Sequence, residues 1–308
     1  MINTMVTVQL SIIITICCGC ILRKENILNE SSINTLSKLV NKLILPINIF
    51  CSCILSFSYE HIQDIITMVL LGILVEVILY IVMQKVPCHN MNTDRKNITQ
   101  YALVISNGGL IGIPLINGLY GEYGVLLANM FLIATRILLQ YLGNGIFGKK
   151  ARNRHIKACI CESAGIIAVI LGMICSFCKI SIPKFLFDPL NQISNCLSPL
   201  ALLLVGGMLY RNIKISSKAE GIHILKLVIV KQCIIPVTVG ICLWKMPISV
   251  ECKMIAVLLM GMSLSSAVAM FAGEYGGDYL FASKAVAIST VTCAFTLLGV
   301  AWFAGILL

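Results

Sequence analysis

Asn107-Gly108-Gly109-Leu110-Ile111-Gly112-Ile113-Pro114 lies inside an apolar run that otherwise reads as one membrane-crossing helix over 98–119. Three glycines weaken a helix interior. Pro114 removes an amide donor and crowds the turn before it. The stretch therefore predicts a broken helix. Backbone groups freed by a break need partners, and lipid supplies none. Such a break is stable only against protein or beside a wet cavity, where half-helix ends and loose carbonyls can meet a ligand. A simple kink with close-packed glycines is the competing reading of the same residues.

The rest of the chain supplies the setting. It has 308 residues, 58% hydrophobic and 12% charged, where an ordinary soluble domain carries about 25% charged residues. Ten apolar spans are predicted, at 5–22, 36–57, 62–84, 98–119, 123–147, 158–178, 192–210, 222–243, 252–272 and 279–307. Spans of about 20 residues leave only short loops. This excludes a large soluble domain, a soluble enzyme and a nucleic-acid-binding module. The expected class is an all-α polytopic membrane protein.

The net charge of +10 is a topology signal. The odd connections hold Arg23 and Lys24; Lys85, Arg95 and Lys96; Lys149, Lys150, Arg152, Arg154 and Lys157; Arg211, Lys214 and Lys218. The even ones hold only Lys179, Lys184, Lys245 and Lys253. The positive-inside rule then makes the odd loops cytoplasmic and places both termini outside. Span 1 lacks a basic segment before it, so it reads as a retained helix. Most of the 15 cysteines lie in apolar runs, where Cys acts as a small hydrophobe. Cys51-Ser52-Cys53 has no His or carboxylate at ligand spacing, so no metal site is expected. His61, His89, His155 and His223 fall at span ends or in loops.

An internal repeat organises the spans. Gly121-Glu122-Tyr123-Gly124 follows span 4, and Gly273-Glu274-Tyr275-Gly276 follows span 9. Pro46 in span 2 and Pro199 in span 7 share nearly the same offset. Two halves of five spans follow, 1–147 and 158–308, joined by a basic cytoplasmic loop at 148–157. Five is odd, so the second half enters the membrane from the opposite side, as in inverted-repeat secondary transporters. The repeat carries the span 4 break onto Ser263-Leu264-Ser265-Ser266 of span 9. That segment has no proline. Its serines can bond a ligand or exposed backbone, or back-bond within an intact helix.

The segment 107–115, followed by Leu119-Tyr120-Gly121-Glu122-Tyr123-Gly124, resembles the auxin efflux carrier family, which includes plant PIN-type carriers and bacterial relatives resembling malate and malonate carriers. Asn41-Lys42-Leu43-Ile44-Leu45-Pro46, Leu197-Ser198-Pro199-Leu200-Ala201, Glu274-Tyr275-Gly276-Gly277-Asp278 and Ser289-Thr290 are also similar. The resemblance implies a fold like that of sodium/proton antiporters and bile-acid symporters. Spans 1, 2, 6 and 7 would form a scaffold, often dimeric. Spans 3–5 and 8–10 would form a moving transport domain, with broken helices 4 and 9 crossing beside the substrate. Asn107 and Pro114 match the family motif in span 4. The family usually has a proline in the span 9 break, and Ser266 stands near that position here.

Three of the charged residues within the spans need a partner or a task. Arg136 in span 5 is expensive in a bilayer, by about 3 kcal/mol. It holds a substrate carboxylate, or it pairs with Glu76 of span 3 and fixes packing. Glu76 is correspondingly a proton carrier or a counter-ion. Lys231 in span 8 reads as structural, snorkelling or approaching Glu76. The resulting expectation is an elevator-type secondary transporter of a small mono- or dicarboxylate in the plasma membrane. Asn107, Gly108, Gly109, Gly112, Pro114, Arg136, Ser263, Ser265, Ser266 and Asn48 bind substrate, and Glu76 and Lys231 serve coupling or ion pairing. No cofactor is expected. The coupling ion is H+ or Na+, the partner a second copy of the chain. The alternative is a metabolite sensor built on a carrier-like fold. An intramembrane enzyme would need paired catalytic groups, and none stands out.

Overall fold

A computed structural model describes residues 2–85, 92–142, 163–210, 217–274 and 277–308. The basic loop 148–157, the flanking ends of spans 5 and 6, and Tyr275 and Gly276 of the repeated motif lie outside the described residues. Fourteen α-helical segments are described: α1 Ile2–Lys24, α2 Glu30–Leu39, α3 Leu45–Ser56, α4 Ile62–Gln84, α5 Thr93–Val104, α6 Ile113–Leu142, α7 Ala164–Phe177, α8 Lys184–Asn195, α9 Leu197–Leu209, α10 Lys218–Ile229, α11 Ile235–Leu243, α12 Val250–Met260, α13 Ala267–Glu274 and α14 Tyr279–Leu307. Apart from one isolated bridge, the regular structure among these residues is helical.

Seven continuous helical runs are long and apolar enough to cross a membrane. α7 is apolar but shorter. The outer surface carries large apolar side chains such as Ile14, Leu70, Phe295 and Trp302. A water-facing surface would not carry so many, so these side chains fit a lipid environment. The protein is a polytopic helical membrane protein.

Three wide π-type turns interrupt the helical ladder, at Val40–Ile44, Gly108–Gly112 and Val230–Ile234. Each stands two residues before a proline: Pro46, Pro114 or Pro236. The reason is local. A proline ring crowds the carbonyl one turn back and cannot donate to it. A wide turn shifts that carbonyl and lets the helix continue. Within α6, Gly121 adopts φ 62°, the left-handed conformation that glycine takes without a Cβ penalty. It separates the end of predicted span 4 from the start of span 5.

Close packing depends on missing side chains. α1 meets α9 at Gly19 and Gly206, and a Cβ on Gly206 would come within 2.0 Å of the Ile16 carbonyl oxygen. α4 meets α6 at Gly72, where a Cβ would lie 2.3 Å from the Phe131 carbonyl oxygen. α7 meets α3 at Gly172, against Cys53. Small residues at helix contacts are how membrane helices gain van der Waals contact without a hydrophobic driving force. The most enclosed element is α12, whose residues from Cys252 to Met260 are all buried.

At one end of the molecule, charges tie α5, α10 and α14 together. Arg95 Nε donates to Asp278 Oδ2 at 2.7 Å, and its Nη2 lies 3.6 Å from Glu220 Oε2. Lys284 Nζ donates to Glu220 Oε1 at 2.8 Å. Asp278 also caps α14, accepting from the Phe281 amide at 3.0 Å. Burial would raise the Asp278 carboxyl, but that amide and the Arg95 guanidinium hold it below its usual value. An unfolded Asp278 therefore binds a proton at a pH where the folded one still refuses it. Stability from this group is present above its unfolded value and declines as pH falls from about 4 downward. Asp278→Asn is expected to flatten that part of a melting-temperature-versus-pH curve. An unchanged slope would show that the pair contributes nothing.

Candidate functional site

The two interrupted helices meet at their breaks. α5 ends at Val104, and the chain runs extended through Ile105 and Ser106 before the turn at Gly108–Gly112. α12 ends at Met260, and residues 261–266 are non-helical before α13 begins at Ala267. Ser106 and Leu264 form an antiparallel bridge, and the Asn107 amide donates to the Ser263 carbonyl at 2.9 Å. Each break thus satisfies part of the other's backbone, as groups shielded from water require.

Span 9 is broken without a proline. Gly261 caps α12. Ser289 of α14 accepts from the Leu264 amide through its Oγ at 3.0 Å, and Ser265 Oγ accepts from the Ala267 amide at 3.3 Å. Side-chain oxygens hold the extended backbone that a proline would otherwise enforce. Gln232 braces the same wall: its Nε2 donates to the Ser289 carbonyl, and Thr292 donates to its Oε1 at 2.9 Å.

The glycines of the first break have different tasks. A Cβ on Gly108 would come within 2.7 Å of the Leu132 side chain, and one on Gly112 within 2.8 Å of Leu259. These two let the break press against α6 and α12. Gly109 would meet only Leu45 of α3, at 3.9 Å, so its open side faces α3. Pro114 is buried in the first turn of α6.

Several polar groups here are buried without a partner among the described residues. They include the hydroxyls of Ser106 and Ser263, each side of the crossing. The Asn107 side chain is buried and makes no hydrogen bond among the described residues, while its carbonyl accepts from the Ile111 and Gly112 amides. Uncommitted buried polar atoms are costly. Grouped at a helix break, they form a surface able to receive hydrogen bonds from, or give them to, a small polar ligand. Ser266 is half-buried next to them.

Arg136 is held by residues outside both breaks. It does not pair with Glu76. Its Nη1 donates to the Asn129 carbonyl at 2.9 Å and its Nη2 to Asn129 Oδ1 at 2.7 Å. Asn129 Nδ2 donates to Ser52 Oγ on α3 at 3.1 Å. Gly165 of α7 lies against the arginine stem. No carboxylate lies within salt-bridge distance of Arg136 among the described residues. One turn along α3 from Ser52, Asn48 donates to Ser194 Oγ at 3.0 Å and leaves its Oδ1 buried and unpartnered. Arg136, Asn129, Ser52 and Asn48 therefore make a polar strip where α6 meets α3.

Glu76 accepts from the Thr135 hydroxyl through Oε1, and its Oε2 is buried without a partner. Lys231 is the cation whose charge acts on it, though the two stand outside salt-bridge distance. Lys231 does not snorkel: it is fully buried, and its Nζ donates to the carbonyls of Leu103 at 2.9 Å and Val104 at 3.2 Å. Ser106, Ser289, Gln232 and Asn129 escaped the sequence reading as site residues. Asn129 lies two turns before Arg136, and the arginine reaches back along its own helix to it. A polar residue in an otherwise apolar span was the one signal for it. Gln9 of α1, with both side-chain polar atoms buried and unpartnered, had none beyond its polarity.

Compared with curated proteins, the chain has no match. A family model described as "Membrane transport protein" matches residues 4–165 and 161–301. With that match spanning most of the chain, and two interrupted helices joined at their breaks, the protein belongs to this transporter family, that of the auxin efflux carriers.

Proposed function

We propose that the protein is a secondary transporter of a small organic anion, a mono- or dicarboxylate, working by elevator-type alternating access. The observation that carries the reading is the crossing itself. Unpartnered hydroxyls of Ser106 and Ser263 gather at paired helix breaks with the Asn107 side chain, which is buried and makes no hydrogen bond among the described residues. Ser265 and Ser266 complete the surface from the second break. Half-helix N-termini carry partial positive charge and favour a carboxylate.

The anion preference rests on Arg136. A half-buried guanidinium with no carboxylate at salt-bridge distance among the described residues is an unfinished ion pair, and arginine matches a carboxylate with two parallel hydrogen bonds. It lies between α6 and α3, the boundary at which a transport domain would move against a scaffold. The repeat offset and the two breaks support a 5+5 inverted arrangement of ten spans, with scaffold spans 1, 2, 6 and 7. The charge bias of the loops supports a plasma-membrane protein with both termini outside. A second copy of the chain is the expected partner.

The test is thermal stability of the purified protein against a panel of carboxylates and their neutral amides. A ligand at about 100 times its dissociation constant stabilises by about 2.7 kcal/mol. Arg136→Ala is expected to lose the preference for carboxylate over amide, and Arg136→Lys to retain part of it. Equal stabilisation by amides in the wild type would remove the anion assignment and leave the carrier.

A further inference from the structure

The C-terminal end of α5 is left short of donors by the crossing. In an uninterrupted helix the Asn107 amide would donate to the Leu103 carbonyl. Here it donates to Ser263 instead. The carbonyls of Leu103 and Val104 are thus released at the negative end of a helix dipole. Both are taken by one fully buried ammonium, that of Lys231, reaching across from the π-type turn Val230–Ile234. The charge of Glu76, which has one carboxylate oxygen unpartnered, acts on that ammonium from beyond salt-bridge distance. Two carbonyl oxygens at a helix C-terminus, with a carboxylate nearby but outside salt-bridge distance, are a setting that would otherwise suit a hard monovalent cation.

We infer that Lys231 is a built-in cation. It occupies the place of a dissociable sodium ion at the α5 carbonyl end, so the crossing is assembled, and works, without sodium. The functional meaning rests on the carrier reading above. The structural assignment stands on the Lys231 contacts alone. Lys231 acts here as a positioning residue: it fixes the two carbonyls and, through them, the register at which Ser106 and Asn107 meet Ser263.

Chemical rescue tests this. Purified protein is melted in sodium chloride, potassium chloride or choline chloride at one ionic strength. The wild type is expected to melt at the same temperature in all three. Lys231→Ala, which vacates the ammonium site, is expected to melt several degrees lower in choline. Sodium or methylammonium should restore most of that loss, and tetramethylammonium, which has no N–H donor, should not. Lys231→Met, which keeps the stem volume and drops the charge, is expected to melt low without rescue. Sodium-dependent melting of the wild type overturns the inference, and needs no variant. So does a Lys231→Ala protein that melts like the wild type in choline, or one that melts low whatever the cation. If no carboxylate binds but the cation pattern holds, the carrier reading falls and the tethered cation stands.

Discussion

Asn107→Ala is expected to weaken carboxylate binding by about 10- to 100-fold while leaving the unliganded melting temperature close to that of the wild type. A hydrogen bond to a charged group is worth about 1.5–3 kcal/mol, which gives that range. The fold survives because the crossing uses the Asn107 backbone. Its amide holds the Ser263 carbonyl, and its own carbonyl receives the Ile111 and Gly112 amides. The side chain is buried and has no hydrogen-bond partner among the described residues, so its removal breaks nothing internal. Isothermal titration with a carboxylate that stabilises the wild type checks the affinity. Wild-type affinity in Asn107→Ala would place the ligand away from the crossing.

Gly206→Val is expected to have the largest effect on stability. The ideal Cβ position on Gly206 lies 2.0 Å from the Ile16 carbonyl oxygen and 2.9 Å from the Gly19 Cα. The obstacle is backbone, so no side chain can rotate aside. α1 and α9 must separate, which strips their contact and also the Cys20 Sγ donation to the Gly206 carbonyl. Overpacking costs about 1–3 kcal/mol, and more where backbone must move. The control is Gly299→Val, since a Cβ there meets nothing within 4 Å. Equal melting temperatures for the two variants would show that the α1–α9 contact is looser than this geometry requires.

The first break was legible because its cause is local. Three glycines and Pro114 within eight residues spoil a helix whatever surrounds them. The second break was legible only through the repeat. Ser263 to Ser266 contain no strong helix breaker. Their extended backbone is fixed by the Asn107 amide and the Ser289 hydroxyl, partners far away in sequence. The π-type turns could be suspected from Pro46, Pro114 and Pro236 but not placed, since a proline can also be absorbed by a kink.

The pairing of Arg136 with Glu76, one of the two readings of that arginine, fails by one residue. α4 and α6 do pack together, and Glu76 does face α6. Consecutive residues on a helix point about 100° apart. Thr135 takes the direction toward α4 and meets Glu76, which leaves Arg136 turned toward α3 and α7. An apolar span with few polar landmarks gives little to fix that rotation. From sequence, Lys231 reads as a long side chain that snorkels to a surface or approaches Glu76. The structure sends it inward because the broken α5 offers two carbonyls, and no local pattern around Lys231 announces them.

The central claim is that a small anion crosses the membrane through the paired breaks. Counterflow in proteoliposomes tests it most directly. Vesicles are loaded with an unlabelled carboxylate that stabilises the purified protein, and the labelled form is added outside. Saturable, protein-dependent accumulation of label that falls sharply with Asn107→Ala is expected. Tight binding with no accumulation, in vesicles shown to hold folded protein in both orientations, would contradict it and make the protein a sensor.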